Sequence, residues 1–387
     1  MHKQTQAIRI QTAKSFEMEH STPLYLTSSF TFDSAEDMRA AFADETDDNI
    51  YSRYSNPTVD EFVKKMCVLE GAEAGFATAS GMAAVFNSIF ALLKTGDHLI
   101  CSSSVFGSTY ALATKFLPKY GIECTLVSST KMEEWEAAVK PNTKMVFLET
   151  PTNPQLEVID LEWVGTFCKK HNLIFNVDNC FASPILQNPI DFGADIVSHS
   201  ATKWIDGQGR VLGGVVVGRA DLIREIYLFC RNTGPSLSAF NAWVLSKSLE
   251  TLDVRMERHC NNALEIAATL EKNEKIAWVK YPFLPSHPQY NIAIKQMKKG
   301  GGVLCFELKG GIESGRNFLN ALQLLSMTPN LGDTRSIASH PSSTTHSKLS
   351  ETERLAIGIT PGLIRISAGL ENVNDILADI EQALVKC

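Results

Sequence analysis

The chain has 387 residues, 44% of them hydrophobic and 20% charged, and a formal net charge of -7. The length exceeds the size at which one hydrophobic core stops growing, so two domains are expected, and the ordinary composition excludes a disordered or fibrous chain. An acidic balance without a lysine or arginine cluster excludes the basic footprint of a nucleic-acid binder and leaves small molecules as the expected partners.

Nine scattered cysteines with no C-x-x-C pair predict reduced thiols in a cytoplasmic protein. The opening residues MHKQTQAIRIQTAK have no apolar signal core. The longest apolar stretch, AAVFNSIFALL, is too short and interrupted to cross a bilayer. Residues 1–50, rich in Ser, Thr and acids without a repeating unit, read as an extended arm.

From about residue 75, short apolar runs alternate with helix-length amphipathic segments. That alternation specifies an α/β layer with a largely parallel sheet. The run GFATA turns through Ser80 and Gly81 into a helix beginning near Met82. Free N–H groups at such a helix start can hold a phosphate, although a plain N-cap serine reads equally well. LIFNVDN then ends an apolar strand on Asp178, where an unpaired carboxylate would cost several kcal/mol (roughly 3–5) unless a cation faced it. After DIVSHS comes Lys203, also just past a strand end, where open α/β sheets place their ligands. A solvated surface lysine, or a simple ion pair with Asp178, are the bland alternatives.

GQGRVLG imitates a dinucleotide fingerprint but leads into the strand VLGGVVVG rather than into a helix, so it fails the required context. There is no GxxxxGK[ST], H-E-x-x-H or G-x-S-x-G. His340 and His346, in HPSSTTH, lack further ligands for a metal, so no metal site is expected. Helical content rises after residue 235, strands return in GGVLCFELKG and LIRISAGL, and the last helix sets Ile376, Ile380 and Leu384 on one face. With a boundary near 246, the expected organisation is an arm (1–50), a large domain (51–246) and a smaller α+β domain (247–387).

One chemistry uses these pieces together. Pyridoxal 5'-phosphate needs a lysine for its aldehyde, an acid for its ring nitrogen, and hydroxyls with a helix start for its phosphate. Here those are Lys203, Asp178, Ser200 with Thr202, and the backbone of Gly81 and Met82.

The motifs YSRYSNPT (51–58), ASGM (79–82), ETPTNP (149–154), VDN (177–179), SHSATK (198–203), HPSSTTH (340–346) and IRISAGLE (364–371) run in order along nearly the whole chain. In them the chain closely resembles the Cys/Met metabolism family, the cystathionine γ-synthase-like pyridoxal phosphate enzymes of fold type I. The resemblance implies a mostly parallel seven-stranded sheet in the large domain. It also implies that Tyr51 and Arg53 reach the cofactor phosphate of a neighbouring subunit in a homodimer or homotetramer, with Tyr51 a second catalytic residue that helps Lys203 move protons. By the same resemblance Asn153 sits near the cofactor's phenolic oxygen, Arg365 grips the substrate α-carboxylate, and Ser336 stands beside that carboxylate. Most relatives stack a tyrosine on the ring. Here the position is Phe106, which can stack but cannot move a proton.

NLGDTRS (330–336), DGQGRVLGG and GPSLSAFNAW look most like bacterial O-succinylhomoserine sulfhydrylases. The resemblance therefore implies γ-replacement on an O-acylhomoserine, succinyl ahead of acetyl, with sulfide giving homocysteine. A cystathionine γ-synthase using cysteine, a methionine γ-lyase, and a non-catalytic binding protein on the same fold are the alternatives. Arg210, a cation in the glycine-rich loop, is the candidate for the succinyl carboxylate; its bland reading is a solvated loop arginine.

Overall fold

The computed structural model describes all residues except 345, 346, 348, 349 and 357. His346, considered above as a ligand, lies outside the described residues. Among the described residues no helix is long and apolar enough to cross a membrane. All nine cysteines are free thiols.

Seven strands, β1 (Ala74–Thr78), β2 (His98–Ser102), β3 (Glu123–Val127), β4 (Thr143–Glu149), β5 (Ile174–Asp178), β6 (Ile196–Ser200) and β7 (Gly214–Gly218), form one sheet in the order β1-β7-β6-β5-β4-β2-β3. Pairing is parallel from β3 through β6, and only β7 runs antiparallel to both of its neighbours. Helices cover both faces, so the strands are apolar runs rather than alternating ones, as GVVVG shows with every residue buried.

A second sheet, in the order β10-β11-β12-β9-β8, combines β8 (Ile276–Lys280), β9 (Val303–Leu308), β10 (Ser326–Met327), β11 (Ile337–Ser339) and β12 (Leu363–Ser367). The closing helix Val373–Val385 packs Ile376, Ile380 and Leu384 into this part of the core, on the face its spacing predicts. Residues 1–50 carry two short helices, Lys3–Arg9 and Ala35–Phe42.

Two local devices fix the turn that carries Lys203. Arg255 is buried and donates to the carbonyls of Trp204 (2.7 Å) and Ile205 (3.1 Å), pinning the chain just past the lysine. Gly207 then turns with φ +69°, where a Cβ would collide with the Arg255 guanidinium, so glycine is required on both backbone and steric grounds.

Candidate active site

The carboxyl ends of β4, β5 and β6 lie side by side. Glu149 stands in register with Asp178, Asp178 with Ser198, and two residues on β6 ends in Ser200, three positions before Lys203. This crevice is where a doubly wound sheet takes a ligand.

The helix Gly81–Phe90 starts against that edge. Ser80 caps it by accepting from the Ala83 N–H at 3.2 Å. A Cβ on Gly81 would lie 2.4 Å from the Ser200 Cβ, so only glycine lets the helix start press on the end of β6. The N–H groups of Gly81 and Met82 and the Ser200 hydroxyl find no partner among the described residues. Thr202 differs, because its Oγ1 accepts from the Gly213 N–H (3.2 Å) and donates to the Gly213 carbonyl (3.3 Å). Free amides at a helix start beside a free hydroxyl make an anion cradle.

Lys203 Nζ donates to Asn330 Oδ1 at 2.6 Å. The Asn330 carbonyl accepts from Arg365 Nη2 at 2.8 Å, and Arg365 Nη1 donates to Asn153 Oδ1 at 3.0 Å. One chain of hydrogen bonds thus links the lysine, Asn330, Arg365 and Asn153. Burial lowers the Lys203 amine below its ordinary range; Cys180 opposes that in part, and the nearby Arg365 charge adds a smaller push downward.

Arg365 is 6% exposed, and among the described residues its Nε has no partner. No carboxylate pairs with it among the described residues; its other acceptors are neutral carbonyls, that of Pro329 included. Burial pulls its pKa down to about 10. A buried guanidinium left unpaired is costly, and its planar fork is suited to a carboxylate arriving from outside the chain.

Asp178 accepts from the Cys180 N–H at 3.0 Å, and burial pushes its pKa up to about 6. The expected facing lysine or arginine is absent: among the described residues no ion pair joins Asp178 to Lys203 or to any other cation. The charge that favours its ionised form is His199 on β6. Cys180 lies within electrostatic reach of both Asp178 and Lys203, which places the two on one site.

Sequence reasoning passed over two residues of this site, Asn330 and Glu149. Burial, and then the Asp178 charge, raise the Glu149 carboxyl well above the usual range, while it accepts from the backbone N–H groups of Phe106 (2.8 Å) and Asn153 (3.1 Å). One carboxylate therefore holds two loops in place. The Phe106 ring is 46% exposed at the start of the helix Gly107–Ala111. The peptide bonds Thr150–Pro151 and Asn153–Pro154 are both cis.

Other residues singled out in the sequence fall elsewhere. Tyr51 and Arg53 sit at the arm junction, with Arg53 over the Tyr54 ring (4.8 Å) and donating to the Arg231 carbonyl; no bond joins them to Lys203, Asp178 or Arg365 of the same chain. The Ser336 hydroxyl donates to Glu371 (2.9 Å) and accepts from the Gly369 N–H (2.8 Å), so it braces the IRISAGLE segment. Arg210 is neither fully solvated nor free: it pairs with the buried Asp206 at 3.0 Å and donates to Ser248. His340 bonds Ser343 and the Pro361 carbonyl. Among the described residues no three His, Cys, Asp or Glu side chains converge as metal ligands.

The donor set fits pyridoxal phosphate. The helix start and Ser200 suit its phosphate, Lys203 its aldehyde and Asp178 its ring nitrogen, while Arg365, which pairs with no carboxylate among the described residues, could take one from a substrate.

Comparison with known proteins agrees with that chemistry. The pattern of the Cys/Met metabolism PLP-dependent enzymes matches residues 4–385. An O-succinylhomoserine sulfhydrylase of Pseudomonas aeruginosa is 44% identical over 98% of this chain and 94% of its own length. An L-methionine gamma-lyase of Fusobacterium nucleatum subsp. nucleatum is also 44% identical, over 99% and 98%. Among solved structures, a Campylobacter jejuni protein described as an O-acetylhomoserine (thiol)-lyase, with a pyridoxyl-lysine monophosphate at its position 205, superposes with TM-score 0.96 at 34% identity over 100% of both chains. The cystathionine gamma-lyase of Lactobacillus plantarum gives TM-score 0.93 at 34% identity, over 100% of this chain and 99% of its own. With a lysine, an aspartate and an anion cradle gathered past the carboxyl ends of β5 and β6, the chain belongs to the Cys/Met metabolism family of pyridoxal-phosphate-dependent enzymes.

Proposed function

We propose that the enzyme carries out γ-replacement on an O-acylhomoserine, succinyl ahead of acetyl. Sulfide adds and the acyl group leaves as its carboxylate, so that O-succinylhomoserine and hydrogen sulfide give homocysteine and succinate. The observation that carries this reading is a cavity of about 250 Å³ lined by Gly209, Asn330, Asp333 and Arg335. Asn330 ties this cavity to Lys203. Arg335 bonds Asp333 through Nε and Nη2, leaves Nη1 without a partner among the described residues, and is two-thirds exposed. It lies against the Gln208 carbonyl, next to the Gly209–Arg210 step. The Arg335 guanidinium thus borders the glycine-rich loop, a setting for the free carboxylate of a succinyl group that acetyl or thiomethyl groups do not need. The runner-up is γ-elimination from methionine, favoured by the gamma-lyase relative of equal identity.

When bound, pyridoxal phosphate supplies the aldehyde that captures the substrate amine and a ring that accepts electrons from Cα. The residues do the rest. Arg365 binds the α-carboxylate in a bidentate pair and, with Asn153, orients Cα. Lys203, whose buried amine reaches its neutral form more readily than a solvated lysine, takes the Cα proton, and Asn330 limits its range of motion. A second proton leaves Cβ before the acyl carboxylate departs from Cγ, and returns after sulfur has added. Lys203 moves it, because the Phe106 ring carries no exchangeable proton. Tyr51 and Arg53 of a second copy complete the phosphate site, so the working unit is at least a homodimer.

The reading is tested by product analysis with O-succinyl- and O-acetylhomoserine, each offered sulfide or cysteine, and with methionine alone. Homocysteine from the succinyl ester and sulfide is the expected main product; faster release of methanethiol and an oxo acid from methionine would contradict it. Arg335→Ala is expected to lower kcat/KM for the succinyl ester about tenfold while leaving the acetyl ester within twofold, consistent with loss of one exposed charge contact. The same assay on Arg210→Ala reports whether that guanidinium, already held by Asp206, shares the role.

Arg365→Lys is expected to raise KM by about 100-fold with the cofactor absorbance unchanged, because an ammonium cannot reproduce the bidentate contact. An unchanged KM would remove Arg365 from substrate binding.

A further inference from the structure

Behind Asp178 lies a buried ionic cluster that the chemistry above does not use. Glu70 closes the helix Pro57–Glu70 and is 0% exposed, yet among the described residues it meets no lysine or arginine side chain. Its Oε1 accepts from His199 Nε2 (2.6 Å) and Asn179 Nδ2 (2.8 Å), and its Oε2 from Asn188 Nδ2 (3.2 Å). A carboxylate only accepts, so the His199 proton facing it sits on Nε2 and the ring orientation is fixed. Both donors on Oε1 lead to Asp178. Asn179 is the next residue in the chain, and His199 follows Ser198, the register partner of Asp178 on β6.

We propose that Glu70 and His199 act as a positioning pair: Glu70 fixes the His199 ring and the Asn179 amide behind Asp178, so that the Asp178 carboxylate stays aimed at the ring nitrogen of the cofactor. Three influences bear on Asp178. Burial favours its neutral form; the Cys180 N–H at 3.0 Å and, after it, His199 on the neighbouring strand favour the ionised one. Without His199, burial is opposed by the Cys180 N–H alone, and a neutral acid cannot pair as an anion with a pyridinium. The cluster also has a plain structural reading, as a brace: Gln187 ties Asn179 to the Thr150 carbonyl. The test therefore needs to separate the two.

The holoenzyme is resolved, and the affinity of His199→Gln for pyridoxal 5'-phosphate is compared with its affinity for the 1-deaza analogue, which has carbon in place of the ring nitrogen. A pair acting through Asp178 gives about tenfold weaker binding of the natural cofactor and no change for the analogue. In an Asp178→Asn background, His199→Gln then adds no further loss, as a coupled pair demands. Equal loss for both cofactors would mean a brace only, and no loss for either would overturn the pair. Glu70→Gln, which keeps an acceptor for Nε2 but removes the charge, follows the same pattern if His199→Gln does not fold.

Discussion

Lys203→Ala is expected to abolish turnover, lowering kcat by at least about 10³-fold for any acyl homoserine, because one side chain supplies both the covalent anchor and the proton carrier. Nothing nearby can replace it. Asn330 Oδ1, its partner at 2.6 Å, accepts but carries no basic amine; burial raises the Cys180 thiol; and Phe106 has no proton to move. The fold should not suffer, since the turn is pinned by Arg255 on Trp204 and Ile205 rather than by the lysine. Rapid-mix kinetics and thermal melts on one preparation check both halves. Substantial γ-replacement by a folded Lys203→Ala protein would refute the role.

Asp178→Asn is expected to act in opposite directions on stability and function. The folded value of about 6, raised by burial, lies above the ordinary aspartate value of 3.8. The native chain therefore binds this proton more tightly than the unfolded one. Its contribution to stability is full below about pH 4 and is lost as pH rises through 6. At neutral pH the ionised carboxylate, with no cation paired to it among the described residues, costs the cofactor-free protein on the order of 3 kcal/mol. Asparagine should remove that cost and raise the cofactor-free melting temperature at pH 7.5 by several degrees, with little change at pH 4. Function should fall. An Asp178 carboxylate about 3 Å from a pyridinium gains on the order of 5 kcal/mol at an effective dielectric of about 20, before desolvation. Losing it should weaken cofactor affinity and lower kcat by roughly 100-fold each. A cofactor-free variant no more stable than the parent at pH 7.5 would show that Asp178 is not strained.

The elements of this site differ in how plainly the sequence declares them. Asp178 and Lys203 stand out because a charged residue ending an apolar run has few bland explanations, and the sheet does set them at adjacent strand ends. Gly81 follows from a strand that turns into a helix. The same strand-end signal was present in KMVFLE, and applied there it would have found Glu149. Asn330 had no local signal: 127 residues separate it from Lys203, and only the approach of the second sheet to the first brings them together. Glu70 and His199 were hidden for a related reason, since a histidine inside SHSATK reads as part of the lysine motif until a helix 129 residues away presents its carboxylate. Arg210 shows the converse. The loop arginine is as prominent in the sequence as it is exposed, but the Asp206 four residues before it turns inward and holds it.

The account depends on where the vitamin B6 aldehyde attaches. Borohydride reduction of the holoenzyme, followed by tryptic digestion and mass spectrometry, should place a pyridoxyl phosphate adduct on the peptide His171–Arg210, with cleavage after Lys203 blocked. A label on any other lysine, or a reconstituted protein that takes up no cofactor, would contradict it.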